Sequence, residues 1–390
     1  MPKLMLKPKK DEAKEPAPKV EAQGYPPMGK KALEASTAPS GATAALLKSF
    51  KKEYGDAAGS FGGNFVNSER IPTGIFEFDL ATGGGFPRGR CSIIYGPESS
   101  CKTNLAYLAI AWHQLLWPDL VCSFVDVEHS FDPAYAKKFG VNVDKLMVLE
   151  PLLAEQAVDM VEALLAAEDC GLVVVDSLAA LVTTGEFNNS AEKAVVGGSS
   201  NPIGKLYRKS SRAMGEASSA GRSPTLLYIN QVRHKIGVMF GDPETMPGGN
   251  APKFQASLWI RVYGKNIIDN KINQDLPVRK NVKVVIKKWK VPIFSVNAEF
   301  EMATIAHNGL KVGQSDSSKL IKTLLEGMGE YNKAEGKGGG WNILGTNYPT
   351  QAAFEEHLLN NHTFANTLKK SLIDDSINKT LIAAEGDLGV

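Results

Sequence analysis

Short apolar runs alternate with longer segments of helical periodicity along the middle of the chain. Seven runs are predicted to be strands: CSIIY, VCSFVD, LVVVD, TLLYIN, SLWIRVY, VKVVIKK and SVNAEFEM. The first four are almost continuously apolar, which is typical of parallel strands covered on both faces. The last three alternate more between polar and apolar positions, which predicts an antiparallel extension of the same sheet. The pattern therefore predicts an α/β fold with a mostly parallel, twisted sheet over residues 67–303.

The C-terminal part of the chain has a different pattern. Residues 304–390 contain a glycine-rich break, GKGGGW, and then helix-like runs around residues 354–359 and 364–373. A composition change of this kind is typical of a domain boundary. We therefore predict a small C-terminal α/β domain over residues 304–390.

The N-terminal part divides into two segments. Residues 1–40 are rich in Lys, Pro, Ala and Glu without hydrophobic periodicity, which predicts a disordered tail. Residues 41–66 are predicted to form a helix and a linker, because AALLKSFKKEY places Leu46, Leu47 and Phe50 on one face. Two interpretations stay open: the apolar face packs on the helix's own domain, or it docks on a neighbouring subunit.

Charge and cysteine content restrict the class of protein. Lys and Arg total 44 against 42 Asp and Glu, a net charge of +2, so any nucleic-acid contact must be local. The four cysteines form no closely spaced pair, which is typical of a reducing compartment. No apolar run approaches the roughly 18 residues of a membrane span, and the Lys-rich N-terminus lacks the apolar block of a signal peptide. We expect a soluble, cytoplasmic protein.

The segment after the first predicted strand has the pattern of a phosphate-binding loop. It consists of Gly96, Pro97, Glu98, Ser99, Ser100, Cys101, Lys102 and Thr103. A helical run follows it, which is the context that such a loop requires. Consecutive backbone N–H groups are expected to surround the β-phosphate, with Lys102 at the β and γ oxygens and the Thr103 hydroxyl on Mg²⁺.

Cys101 stands where the loop pattern G-x-x-x-x-G-K-[ST] has its second glycine. A Cβ there is expected to strain the loop by about 1–3 kcal/mol and so to weaken nucleotide binding without abolishing it. Two interpretations of the thiol stay open. In the first, the thiol only fills space in the core. In the second, the cationic loop lowers the pKa of the thiol and makes it oxidisable.

Polar side chains stand at the ends of three further predicted strands. Glu128 follows VCSFVD, Asp176 ends LVVVD, and Gln231 follows TLLYIN. The carboxyl ends of parallel strands meet at the edge of the sheet where ligands bind. Asp176 is expected to orient Mg²⁺, and Glu128 to act as general base for the attacking water. Gln231 is either a sensor of the γ-phosphate or a structural amide.

A longer series of strings resembles the bacterial RecA recombinases. In order, these are IPTG, GGGFPRGR, IYGPESSCKT, VDVEHSFDPAYAKKFGV, VVVDSLAAL, YINQVRHKIGVMFGDPET and GGNAPKF. The likeness covers roughly residues 43–303, and the last two strings are not general to nucleotide-binding proteins. The resemblance implies a RecA-like P-loop ATPase core, an N-terminal polymerisation helix and a DNA-gathering C-terminal module. It also implies DNA-dependent ATPase activity in recombination, repair and the SOS response.

The resemblance implies roles for residues around ATP. Glu128 is similar to the family's catalytic glutamate, Asp176 to its Mg²⁺-associated acid, and Gln231 to the amide that couples the γ-phosphate to DNA affinity. Asp132 and Tyr135 match the residues that hold adenine, Tyr135 by stacking. Further matches meet the nucleotide across the subunit interface: Lys253, Phe254 and Lys288, with Lys287 replacing a family lysine that falls at Ile286.

The resemblance also implies two DNA-binding loops. The second spans about residues 233–250, and its expected contacts are Arg233, Lys235, Gly248, Gly249 and Asn250. The first spans about residues 186–204, where this chain is longer than the family pattern. Its expected contacts and those of the helix after it are Ile203, Gly204, Arg208, Ser211 and Arg212.

The expected partners are single-stranded and double-stranded DNA and further copies of the chain in a helical filament. ATP between subunits is expected to stabilise a filament whose loops grip DNA, and hydrolysis to release it. Two alternatives share the ATPase core: a ring-shaped helicase or motor, and a non-hydrolysing DNA-coating protein in which Cys101 has disabled turnover.

Overall fold

The computed structural model describes residues 41–54, 69–188, 200–234, 244–247, 251–273, 275–334 and 340–387. The α-helices are α1 (Ala42–Tyr54), α2 (Phe76–Thr82), α3 (Lys102–Leu116), α4 (Pro133–Lys138), α5 (Ala154–Ala166), α6 (Thr184–Asn188), α7 (Ser200–Ser219), α8 (Ala251–Gln255), α9 (Ser318–Gly327), α10 (Gln351–Asn360) and α11 (His362–Asp387). Short 3-10 helices lie at Val143–Lys145 and Leu178–Ala180. The predicted tail, residues 1–40, lies outside the described residues.

The strands before residue 304 are β1 (Arg70–Ile71), β2 (Phe86–Pro87), β3 (Cys91–Gly96), β4 (Val121–Asp126), β5 (Leu146–Leu149), β6 (Cys170–Asp176), β7 (Thr225–Gln231), β8 (Arg233–His234), β9 (Glu244–Thr245), β10 (Leu258–Ile267), β11 (Arg279–Trp289) and β12 (Asn297–Ala303). The C-terminal strands are β13 (Tyr331–Lys333), β14 (Trp341–Ile343) and β15 (Thr346–Tyr348).

An eight-stranded sheet forms the centre of the described structure. Its order is β12-β11-β10-β3-β7-β6-β4-β5. The pairs from β10 through β5 are parallel, and β11 and β12 add antiparallel strands at one edge. The mostly parallel sheet and its antiparallel extension are therefore confirmed. The edge strand β5 was not predicted.

Apolar side chains cover both faces of the central strands, as their continuous apolar sequences predict. Ile94 and Val174 belong to a core that includes helix α3, whereas their neighbours Ile93 and Val173 belong to a second core with α5 and α7. Because side chains alternate along a strand, each apolar run supplies both cores. This burial holds the carboxyl ends of β3, β4, β6 and β7 at one edge of the sheet.

The C-terminal region contains helices α9, α10 and α11 and the three-stranded antiparallel sheet β13-β14-β15. Its apolar core includes Ile321, Leu325 and Phe354, together with Phe76 and Leu80 of α2. The two predicted helical runs are confirmed, while α9 and the small sheet were not predicted. The domain boundaries at residues 66 and 303 remain a prediction.

Helix α1 carries large apolar side chains that are exposed. Leu46 is 55% exposed and Phe50 is 46% exposed. This exposure favours the interpretation in which the helix docks on a neighbouring subunit, which stays a prediction. In the part of the chain that the structure describes, no helix is both long and apolar enough to cross a membrane.

Candidate functional site

The predicted phosphate loop connects the end of β3 to the first turn of α3. Gly96 ends the strand, and Lys102 begins the helix. A Cβ on Gly96 would lie 2.3 Å from the Val262 carbonyl oxygen and 2.7 Å from Ser100 Oγ. Only glycine fits that position, because both contacts are far inside van der Waals distance. Pro97, Glu98 and Ser99 are exposed at the mouth of the loop.

Cys101 occupies a left-handed backbone conformation, with φ of +72°. This conformation costs an L-residue roughly 1–2 kcal/mol, which explains why the pattern has glycine here. The side chain is buried in the core around α3, and burial raises the pKa of the thiol to about 11 against the opposing effects of Lys280 and Lys102. The interpretation as an easily oxidised thiolate is therefore wrong, and Cys101 acts as packing.

Two lysine ammonium groups hold backbone carbonyls of the loop. Lys102 Nζ donates to the Pro97 carbonyl oxygen at 2.7 Å, and Lys280 Nζ donates to that of Ser99 at 2.7 Å. Burial lowers the pKa of Lys102, while the carboxylates of Asp176, Glu128 and Glu98 oppose that effect. Lys280, on β11, was not among the predicted site residues.

The predicted Mg²⁺ ligands lie next to each other. The Thr103 hydroxyl donates to Asp176 Oδ2 at 2.6 Å. Burial raises the pKa of Asp176 to about 6; Glu128 also raises it, whereas the Thr103 hydrogen bond and Lys102 oppose the shift. Asp126 pairs with Asp176 in the sheet register, and its buried Oδ1 has no hydrogen-bond partner among the described residues.

These oxygen atoms fit the hard cation that a phosphate loop requires. No group of three or more His, Cys, Asp or Glu side chains that could hold a metal occurs among the described residues. Mg²⁺ usually binds through one or two protein oxygens and completes its shell with water and phosphate. Thr103 and Asp176 meet that description without a dedicated metal cluster.

Glu128 is an exposed carboxylate between two polar partners. Gln231 Nε2 donates to Glu128 Oε1 at 2.9 Å, and the Ser177 hydroxyl donates to the same oxygen. The structure therefore brings together the predicted general base and the predicted γ-phosphate sensor. Ser177 was missed, because a serine after a strand has no distinctive sequence signal.

The predicted adenine residues lie on and before α4. Asp132 is the N-cap of this helix, and its Oδ1 accepts hydrogen bonds from the backbone N–H groups of Ala134 and Tyr135. The Tyr135 hydroxyl donates to Asn104 Oδ1 at 3.3 Å. Asp132 thus has a structural role in the chain, while the half-buried Tyr135 ring stands beside the first turn of α3.

The predicted cross-subunit residues lie at the other end of β3. Ser257 N–H donates to the Cys91 carbonyl at 2.8 Å, which places α8 at the amino end of that strand. The six residues of β3 span on the order of 16 Å between this end and the phosphate loop. The Phe254 side chain is 74% exposed, and the Lys253 side chain is outside the described part.

The Phe254 carbonyl oxygen accepts from two lysines. Lys288 Nζ lies at 3.2 Å and Lys290 Nζ at 2.9 Å from it. Lys287, the predicted substitute for a family lysine, has an exposed side chain on the same strand. Lys290 therefore shares the Phe254 carbonyl oxygen with Lys288, and the cross-subunit role of Lys287 stays a prediction.

The predicted DNA-binding residues separate into an exposed group and a buried group. Arg208, Ser211, Arg212 and Arg233 are exposed. Arg212 already lies 3.4 Å from both Glu162 and Glu216, and Arg233 Nη2 lies 3.4 Å from the Ala179 carbonyl.

Ile203, a predicted DNA contact, has a fully buried side chain. It packs among α7 and its neighbours because it continues the apolar face of that helix, and its contact with DNA stays a prediction. Gly204 is buried as well. The other predicted contacts, Lys235, Gly248, Gly249 and Asn250, lie outside the described residues.

Comparison with known proteins identifies the family. A family model described as the RecA N-terminal domain matches residues 42–307. Protein RecA of Herpetosiphon aurantiacus is 41% identical over 264 residues, which are 67% of this chain and 71% of that protein. Protein RecA of Chloroflexus aurantiacus is 36% identical over 325 residues, 82% of this chain and 87% of that protein. Protein RecA of Thermus aquaticus is 39% identical over 256 residues, 65% of this chain and 73% of that protein. The chain therefore belongs to the RecA family of ATP-dependent DNA recombinases.

Proposed function

We propose that this chain binds ATP and Mg²⁺ at the phosphate loop, assembles as a helical filament on single-stranded DNA in the cytoplasm, and exchanges strands with a homologous duplex. The hydrogen bond between Gln231 and Glu128 is the observation that carries this proposal. Gln231 ends β7, and the next strand, β8, opens the segment predicted to bind DNA. Only Val232 separates Gln231 from Arg233, so a change in the contact between Gln231 and Glu128 reaches that segment through the backbone.

The residues around the loop have distinct tasks in this mechanism. Lys102 and the loop N–H groups bind the phosphates. Thr103 and Asp176 would hold Mg²⁺, which would neutralise phosphate charge when bound. Glu128 is exposed and accepts a proton from the attacking water. Gln231 and Ser177 both donate to Oε1 of Glu128, so they orient the carboxylate and its second oxygen can accept from the attacking water.

The two separated ends of β3 support the proposed assembly. Phe254 and Lys288 stand at the amino end of this strand and the phosphate loop at its carboxyl end, so a nucleotide that contacts both sets of residues lies between two copies of the chain. Helix α1 supports the same arrangement, because Leu46 and Phe50 are exposed and apolar side chains of this kind gain free energy by docking on a neighbour.

DNA contacts are mainly to the phosphate backbone. Arg208 and Arg233 are exposed guanidinium groups without a carboxylate partner among the described ion pairs, and arginine binds phosphate oxygens in a fork geometry. Contacts of this kind hold the strand without reading bases, so homology is tested by base pairing.

A cytoplasmic location agrees with the cysteines. Cys91, Cys101, Cys122 and Cys170 are all free and buried, which is typical of proteins in a reducing compartment.

Strand exchange between circular single-stranded and linear duplex DNA is the direct test. The wild-type chain is expected to form joint molecules with ATP and Mg²⁺, and Lys102→Ala to form none, because it lacks the phosphate-binding ammonium. Lys283→Ala, which changes an exposed lysine of β11, is the matched control and should retain the activity. Absence of joint molecules with wild-type protein under any nucleotide condition would remove the proposal.

A further inference from the structure

A buried arginine lies between the phosphate loop and the end of the segment predicted to bind DNA. Arg261, on β10, is 3% exposed. Its Nε donates to Glu244 Oε2 at 2.9 Å, and its Nη2 donates to Glu244 Oε1. The remaining Nη1 donates to the carbonyl oxygen of Val262 at 2.8 Å. The guanidinium group is thus fixed by a two-point ion pair and a backbone hydrogen bond.

One side of this guanidinium group faces the strand that leads into the phosphate loop. Arg261 pairs with Tyr95 in the sheet register, and its Cζ lies 5.6 Å from the centre of the Tyr95 ring. A Cβ on Gly96 would approach Arg261 Nη1 to 3.2 Å. The backbone of Gly96 therefore lies next to the Arg261 guanidinium group.

The other side reaches the far end of the predicted second DNA-binding loop. Glu244 pairs with His234, and Thr245 with Arg233, in the antiparallel ladder β8-β9. We call these four residues the loop stem. Gln231 precedes the first strand of the loop stem along the chain, and Glu244 begins the second.

We propose that Arg261 is a positioning residue that couples the phosphate loop to the second strand of the loop stem through Glu244, in parallel with the coupling of Gln231 to the first. This inference rests on the proposed function, in which residues 233–250 bind DNA. With Gln231 alone, only the first strand of the loop stem is coupled to the nucleotide site, and the second strand can move independently. With the contact between Arg261 and Glu244 as well, the two strands move together. Both strands of the stem then respond to the state of the nucleotide site.

The chemistry of the pair suits this task. A bidentate arginine–carboxylate pair holds both its distance and its plane, which a lysine cannot do. Loss of the Glu244 carboxylate removes the ion-pair partner of the buried Arg261 guanidinium group, which costs stability. The pair therefore transmits small displacements at Gly96 to Glu244 rather than absorbing them.

The test compares single-stranded DNA affinity with and without a slowly hydrolysed ATP analogue and Mg²⁺. The variants are Arg261→Lys, which keeps the charge but removes the fork, and Glu244→Gln, which keeps the shape but removes the carboxylate charge. Each is expected to lower the nucleotide-induced gain in DNA affinity by about fivefold or more. For Arg261→Lys, which lies outside the segment proposed to bind DNA, the affinity without nucleotide should stay within about twofold. Arg279→Lys is the matched control, since it changes a surface pair with Glu301 on neighbouring strands.

A second measurement uses the unmodified protein and does not depend on how the variants fold. Hydrogen exchange of peptides covering residues 244–247 should slow when the ATP analogue binds in the absence of DNA. Unchanged exchange there, or variants that keep the full nucleotide-induced gain, would overturn the role of Arg261. A wild-type chain that shows no nucleotide-induced gain would instead overturn the proposed function.

Discussion

Gln231 Nε2 donates a hydrogen bond of 2.9 Å to Oε1 of Glu128, although the two residues are 103 positions apart in the sequence. The first residue ends a central strand, and the second follows another strand of the same sheet. Their contact joins the proposed site of water activation to the segment proposed to hold DNA.

Gln231→Ala should separate ATP binding from DNA binding. The variant lacks the amide that reaches Glu128, so the gain in single-stranded DNA affinity on addition of an ATP analogue should fall by about tenfold. Nucleotide affinity itself should change by no more than about twofold, because Lys102 and the loop N–H groups remain. Fluorescence anisotropy of a labelled oligonucleotide and of a labelled nucleotide measures the two quantities separately.

Gln114→Ala is the matched control for this prediction. The Gln114 amide also bridges elements, through two hydrogen bonds of 2.9 Å with the backbone of Asn142, but it lies at the far end of α3 from the phosphate loop. An equal loss of nucleotide response in both variants would argue against the sensor role of Gln231.

Cys101 should reverse the usual stability order of glycine and alanine. Its φ of +72° is one that glycine adopts freely and an L-residue adopts at a cost of roughly 1–2 kcal/mol. Cys101→Gly and Cys101→Ala both remove the buried thiol, but only the glycine variant also removes the backbone cost. The free energy of unfolding in urea should be about 1 kcal/mol higher for the glycine variant. A more stable alanine variant would disprove the strain at this position.

His113 should make the fold sensitive to acid. The ring is fully buried, with Nδ1 3.3 Å from Cys122 Sγ, and burial, aided by Arg88, lowers its pKa to about 4. Its pKa in the folded chain lies below the unfolded value of 6.5, so its contribution to stability is complete above that value and is lost as pH falls toward 4. Between pH 7 and pH 5 the loss should be about 2 kcal/mol.

Urea unfolding of the wild-type chain and of His113→Gln at both pH values checks this prediction. The glutamine stays neutral, so the difference in stability between the two proteins should shrink at pH 5. A difference that stays constant between the two pH values would show that His113 does not titrate in this way.

Arg233 and Arg212 should differ as phosphate contacts. Arg233→Ala is expected to weaken binding to all DNA sequences and to lower the salt dependence of binding by about one unit of slope. Arg212→Ala should have a smaller effect, because Glu162 and Glu216 already lie within 3.4 Å of that guanidinium group. Titrations at several salt concentrations measure both slopes, and equal slopes for the two variants would contradict the difference in environment.

The large features of the fold could be predicted because their signals are local. The runs that became β3, β6 and β7 are continuous and apolar, and both faces of each strand are buried as that pattern requires. Strand β5 has four residues at the sheet edge with Met147 exposed, so it lacks that pattern. The three-residue strands β13, β14 and β15 are too short to produce any periodic signal.

The sequence predicts those site residues whose position is determined by the end of a strand. Thr103, Asp176, Glu128 and Gln231 meet because parallel strands end at one edge. Other contacts join segments that are distant in the sequence through long side chains. Examples are the hydrogen bonds of Lys280 to the Ser99 carbonyl and of Arg261 to Glu244. Such contacts leave no trace in local sequence. The burial of Ile203 was missed for a related reason, because it depends on how α7 packs on the sheet.

Sedimentation velocity of the purified chain with labelled single-stranded DNA, in the presence and absence of an ATP analogue with Mg²⁺, tests the central mechanism most directly. The mechanism predicts weak, small complexes without nucleotide and tight, rapidly sedimenting assemblies with it. Equal retention of DNA in both conditions, with the protein sedimenting as a monomer in each, would contradict it.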